Sequence, residues 1–314
     1  MQSSKPIDSA VVRADMRVPS FPTVVLAVLL LASLPAASAA ELEYVWEDAF
    51  SHNERDWLGA WVEQTGAALE SLVGPFPMTV RVHFHRRDRS NEPVPWANTR
   101  RGDVQGVHFY IDPTFGPRAF EQDWTAPHEL AHLILPYVGP RHAWFAEGFA
   151  SYLQFRVMQA MGVIDAAEAH RRLRWNLDNA ARSYDYPDEP FARAARRLRA
   201  EHRYPVMYWG GAAYFLQVDA ALTARGSSLI AVLQQYMACC RRNRDTLDGL
   251  LRDLDRLSGS DLFDASLATF RTRPGFPDLS GLVDIHDPEP ASPDHTSPHK
   301  SPHKSPDQDP IGGP

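Results

Sequence analysis

Cysteine is nearly absent: the 314 residues hold two, the neighbours Cys239 and Cys240. Adjacent cysteines cannot staple distant parts of a chain, so a disulfide scaffold is excluded. Long apolar runs are missing as well. The one near the N-terminus, Val24 to Leu31, falls far short of the ~20 residues that span a bilayer as a helix. A polytopic membrane protein is therefore excluded. There is no excess of basic charge, the formal net charge being −7. A general nucleic-acid binder, which must displace counterions from phosphates, does not fit. Glycine and proline follow no three-residue period, which excludes a collagen. What the chain does have is 44% apolar and 23% charged residues, enough to build a real core.

Composition shifts only at the two ends. Arg13 and Arg17 precede the apolar run, and small residues follow it, ending Ala37-Ser38-Ala39. That is the basic, apolar and small-residue order of a cleavable export signal, with the cut after Ala39. Met16 is a workable start, since residues 1–15 add nothing to the pattern. The signal reading places the mature protein outside the cytoplasm, periplasmic or secreted, with no stable membrane insertion after cleavage. No cysteine lies near the cut to carry a lipid. From residue 284 onward, 8 of 31 residues are proline, around the repeat Ser-Pro-His-Lys-Ser-Pro-His-Lys-Ser-Pro. Proline at that density denies helix and sheet their donors, so 284–314 reads as a solvated, disordered tail. Its His295, His299 and His303 offer at most weak chelation. The tail carries a net −4 and residues 1–39 a net +1, leaving −4 on the body.

Between them, residues 40–283 read as one domain of α+β class, a small N-terminal sheet followed by mainly helical chain. Residues 54–72 show helical amphipathicity and end at Gly74-Pro75. Residues 78–85 alternate, with Val80, Val82 and Phe84 against Thr79, Arg81 and His83, as a half-buried strand does. The polar stretch 86–104 reads as a long loop. A second strand follows at 105–112, with Val107, Phe109 and Ile111 on one face and His108, Tyr110 and Asp112 on the other. Helical periodicity then predicts helices at 126–135, 143–161, 165–182, 190–201, 206–224, 227–239, 245–257 and 261–271. Cys239-Cys240 falls at the end of one of these and reads as ordinary helix residues, since a disulfide between neighbours is strained.

The stretch Thr125-Ala-Pro-His-Glu-Leu-Ala-His-Leu-Ile-Leu-Pro136 carries the chemistry. On a helix, His128 and His132 lie on one face, so both imidazoles reach one tetrahedral ion. Glu129 is turned toward a water on that ion, where it serves as general base. Thr125 is placed to cap this helix, and Pro136 to stop it. A catalytic zinc wants three protein ligands and one open position. Separated from His132 by fourteen residues, Glu147 stands in Trp144-Phe-Ala-Glu-Gly-Phe-Ala150. A carboxylate among so many aromatics needs a cation, because burying it alone costs several kcal/mol. Gly148 beside it permits close backbone approach. One Zn2+ on His128, His132 and Glu147 is the expectation.

These two blocks resemble the gluzincin metallopeptidases, in the branch containing aminopeptidase N, leukotriene hydrolase and glycyl aminopeptidase. They are most similar to the compact peptidase-MA-like domains, in which the blocks lie close together. A looser match is Tyr208-Trp-Gly-Gly211, which resembles the segment whose tyrosine stabilises the tetrahedral intermediate. The resemblance implies zinc on His128, His132 and Glu147, Glu129 as general base and then acid, and Tyr208 as oxyanion donor, with Tyr204 as the alternative tyrosine. It implies hydrolysis of a peptide or protein substrate, with no nucleic acid as partner. In that family a substrate pairs with an edge strand just upstream of the zinc helix, which corresponds here to 105–112. His142, Tyr110 and His108 are further candidates for the pocket lining. Three departures stand out. The loop between the blocks is trimmed, Gly210 replaces the family's lysine, and nothing matches the segment whose glutamate grips a substrate's free amine. Two other readings remain: a catalytically silent, zinc-stabilised binding module, and a zinc hydrolase acting on a non-peptide substrate.

Overall fold

A computed structural model describes residues 41–102, 104–280 and 282. The readings of 1–39 as a signal peptide and 284–314 as a disordered tail lie outside these residues. The described chain is α+β, a four-stranded sheet followed by helices. Strand β1 (Leu42–Trp46) leads into helix α1 (His52–Val73), which starts two residues earlier than periodicity indicates. Ser51 explains the start. Its hydroxyl accepts from Glu54 N while the Glu54 carboxylate accepts from Ser51 N, a closed capping box.

Three more strands follow: β2 (Val80–Arg86), β3 (Trp96–Arg101) and β4 (Gln105–Ile111). Their order is β1-β2-β4-β3, with β1, β2 and β4 parallel and β3 antiparallel to β4. This corrects two expectations. The stretch 86–104 is no uniform loop, because residues 96–101 form a strand. The strand 105–111 is no edge, because β2 and β3 flank it; the edge on its side of the sheet is β3. Trp96-Ala-Asn-Thr-Arg-Arg carries almost no apolar alternation, and what makes it a strand is pairing with β4 rather than local propensity.

The apolar alternation sets the sheet's inner face. Val80, Val82, Phe84, Val107, Phe109 and Ile111 are fully buried there. Helix α1 lies over it, with Trp61 5.2 Å from Phe109 between ring centroids. Helices α2 (Pro117–Glu121), α3 (Thr125–Ala131) and α4 (Ala143–Ala160) come next. Six more follow: α5 (Ala166–Ser183), α6 (Phe191–Ala200), α7 (Tyr204–Thr223), α8 (Leu229–Cys239), α9 (Leu247–Ser258) and α10 (Leu262–Thr272). One hydrophobic core joins sheet and helices. Among the described residues, no helix is long and apolar enough to cross a membrane.

Two helices at the centre approach backbone to backbone. A Cβ on Gly211 of α7 would lie 2.0 Å from the Trp144 carbonyl oxygen of α4, and one on Gly148 would lie 2.2 Å from Gly211 C. The close approach expected at Gly148 is thus made against α7. Cys239 and Cys240 depart from the expectation, being joined as a disulfide. The pair sits where α8 ends, and Cys240 (φ −136°, ψ −3°) has left the helical backbone, so the two side chains can turn toward each other.

Candidate metal centre

Helix α3 is short and buried from end to end. Its start is held by Asp123, whose Oδ1 accepts from Thr125 N at 2.8 Å. Asp123 therefore does the capping expected of Thr125, whose own side chain is buried. The helix also ends sooner than 135. His132 keeps helical backbone and donates to His128 O at 3.3 Å, after which Leu133 and Ile134 make tighter turns back to Leu130 and Ala131. The i, i+4 relation between the two histidines survives this early end.

Three side chains converge. Glu147 Oε2 is 3.2 Å from His128 Nε2 and 3.4 Å from His132 Nε2. The potential ligand atoms of His128, His132 and Glu147 all lie within 4.8 Å of one another. Two imidazoles and a carboxylate suit a borderline ion such as zinc. Electrostatics agrees with the chemistry of that donor set. Burial works against charge on Glu147, yet the neighbouring His132 and His128 rings hold its pKa well below the usual carboxylate range. At His132 burial prevails and lowers the pKa, favouring the neutral ring a metal needs. At His128 burial also lowers it, but the hydrogen bond and charge of Glu147 outweigh burial and raise it.

Three supporting groups come from two elements, α4 and β3, and none was anticipated. Gln154 lies two turns along α4 from Glu147, and its Oε1 is 3.0 Å from His128 Nδ1. With Nδ1–H donating there, Nε2 is left as the lone pair facing the centre. On β3, Thr99 Oγ1 lies 2.8 Å from Glu129 Oε2 and 2.8 Å from Glu129 O. Glu129 itself is buried, at 8% exposure. Two residues further along the same face of β3 is Arg101, partly buried. Burial lowers its pKa, while Glu147 and Glu129 both raise it, so the guanidinium is within electrostatic reach of both carboxylates. The i, i+7 spacing from Glu147 could have flagged Gln154. Thr99 and Arg101 sit in a stretch without periodicity, and no local signal marks them.

The tyrosines separate by position. Tyr208 stacks against His128 with centroids 5.9 Å apart. Burial first, then the charges of Glu147 and Glu129, push its pKa well above the ordinary value, so it remains a protonated donor. Tyr204 is engaged elsewhere, its hydroxyl 2.9 Å from His202 Nδ1. At Gly210, where the metallopeptidases that the sequence resembles have lysine, a Cβ would meet the Phe191 ring at 2.2 Å. Any side chain there requires the buried Phe191 ring to move.

His108, Tyr110 and His142 are not brought to this group. Thr99 faces Glu129, and Asn98, the register partner of His108, lies on the opposite face of the sheet. There His108 stacks on His83 at 4.1 Å, with its Nδ1 3.0 Å from His85 Nε2. Burial first, then the charges of His83 and Arg100, lower its pKa to about 4. Tyr110 stacks on His85 at 4.3 Å on that same face. His142 lines a separate cavity of about 220 Å³ with Arg141, Arg193, Arg196 and Arg271. Alternation along the strand foretold the facing of His108 and Tyr110, but not which face the helices would cover.

No protein-family model matches the chain, and no curated protein does. Solved structures match in fold. An aminopeptidase N family protein from Idiomarina loihiensis aligns with 79% of this chain at 14% identity and a TM-score of 0.54. An M1 zinc metallopeptidase from Deinococcus radiodurans, bound to a Tyr-Ser-Ala substrate, aligns with 74% at 15% identity and a TM-score of 0.45. The chain spans about half the length of these structures, 47% and 49% respectively.

Proposed function

We propose that the protein is an exported zinc metallopeptidase that hydrolyses peptide bonds at the centre formed by α3, α4 and α7. One observation carries this reading: Glu129, which no metal site needs as a ligand, is held by Thr99 beside three residues able to bind one ion. A purely structural zinc would need neither that carboxylate nor Tyr208, which speaks against a silent binding module. Export rests on residues 13–39 alone.

His128, His132 and Glu147 would hold the zinc, with Gln154 fixing the His128 ring. When bound, zinc supplies Lewis acidity, polarising a carbonyl and acidifying water. Glu129 takes a proton from the attacking water and returns it to the leaving amine. Thr99 keeps the Glu129 carboxylate oriented for both transfers. Tyr208 stays protonated and donates to the oxyanion as charge develops. Extended substrate is laid along the free edge of β3, where main-chain groups can pair with it.

The test compares the unsubstituted protein with Glu129→Gln on a broad peptide mixture, with metal content measured in parallel. Expected is loss of turnover by at least about a hundredfold, typical of removing a general base, with zinc retained. Undiminished cleavage by Glu129→Gln would refute the assignment.

A further inference from the structure

Two arginines stand near the centre, and they differ in what they touch. Arg241 is engaged: Nε and Nη2 donate to Leu133 O at 3.1 and 2.9 Å, Nη2 to Gln105 Oε1 at 2.8 Å, and Nη1 to Asn243 Oδ1 at 2.7 Å. It braces the chain after α3 against the start of β4. Arg101 has no such tie. It interacts with Glu147 and Glu129 only across space, and makes no hydrogen bond to another described side chain.

Its position is dictated by strand geometry. Side chains alternate along β3, so Arg101 shares the face of Thr99, and Thr99 touches Glu129. Arg101 pairs with Gln105 across β3–β4, at the end of the edge strand. A partly buried guanidinium with five donors is costly unless they are used. The two carboxylates offset its charge in the metal-free protein. A divalent ion on the three ligands would cancel that negative charge and leave the guanidinium uncompensated. Its planar fork then matches a carboxylate or a phosphate, and of the two a peptide substrate supplies the carboxylate.

We infer that Arg101 forms a carboxylate subsite beside the scissile bond, so that the preferred substrates are peptides bearing an acidic group close to the point of cleavage. This rests on the metallopeptidase reading. The carboxylate is either an acidic side chain or a free C-terminus. A cation at this end of the edge strand repels a free N-terminal ammonium, which argues against aminopeptidase action.

The test uses zinc-loaded, full-length Glu129→Gln protein and peptide pairs that differ in one carboxylate. In one series Glu replaces Gln at successive positions; in the other a C-terminal acid replaces the amide. Calorimetry gives the ratio of affinities within each pair. Expected is a preference of at least about tenfold for the acid in one series, as for a charge-assisted bidentate pair. Which series shows it identifies the source of the carboxylate. Adding Arg101→Met should bring the ratio to about one, while Arg101→Lys should keep part of it. A ratio near one in every pair, or one that survives Arg101→Met, overturns the subsite. Cleavage is scored separately with the unsubstituted protein. If no pair is cut, the peptidase reading fails, while the affinity ratios still decide on Arg101.

Discussion

Thr99 spends one hydroxyl on Glu129, and that contact separates positioning from ligation. Thr99→Val keeps the strand and removes the donor, so the three metal ligands are untouched. The expected outcome is unchanged zinc content with kcat lowered about tenfold, the worth of one hydrogen bond of about 1.5 kcal/mol to a charged group. Metal analysis beside steady-state kinetics checks it; a parallel loss of zinc would mean Thr99 holds the site together instead. The residues legible in sequence were those whose relation is local. His128, Glu129 and His132 are fixed relative to one another by a single helix, and Glu147 stood out as a carboxylate among aromatics. Thr99 and Arg101 reach the centre only through the pairing of β3 with β4, a relation between segments that no spacing along the chain reveals.

At the scale of elements, the helices were largely readable because most carry their own apolar stripe, while α4 and α7 are apolar on nearly every side, and most ends fell within two residues. The failures have physical causes. β3 is set by pairing with its neighbour rather than by apolar alternation of its own, and α3 is so thoroughly buried that its stop is set by tertiary packing, not by Pro136. The contact between α4 and α7 gives a prediction at this level. Gly211→Ala places a methyl group 2.0 Å from the Trp144 carbonyl oxygen; the methyl is fixed directly to the α7 backbone and the oxygen belongs to the α4 backbone, so neither can yield alone. Overpacking of this kind costs about 1–3 kcal/mol, so the melting temperature should fall by roughly 2–4 °C per kcal/mol. Because α4 carries Glu147 and α7 carries Tyr208, the same change should weaken zinc binding. A variant with unchanged melting and unchanged zinc affinity would show that the helices part freely.

For the molecule as a whole, the centre ties α3, α4 and, through Glu129 and Thr99, the sheet. Metal removal should therefore be felt beyond the site. At a free zinc concentration of about 100 Kd, binding stabilises the folded state by about 2.7 kcal/mol. A chelator should lower the melting temperature accordingly, and added zinc should restore it; identical melts with and without chelator would show that the three residues hold no ion. The sheet order β1-β2-β4-β3 has a further consequence, for solubility. An edge strand open enough to receive a peptide is open to any extended chain, another molecule of the same protein included. β3 ends in Arg100 and Arg101 and is preceded by Pro93 and Pro95. Like charges oppose the stacking of two such edges in register, and prolines before the strand refuse to lengthen it. The strand can thus accept a guest without inviting a copy of itself.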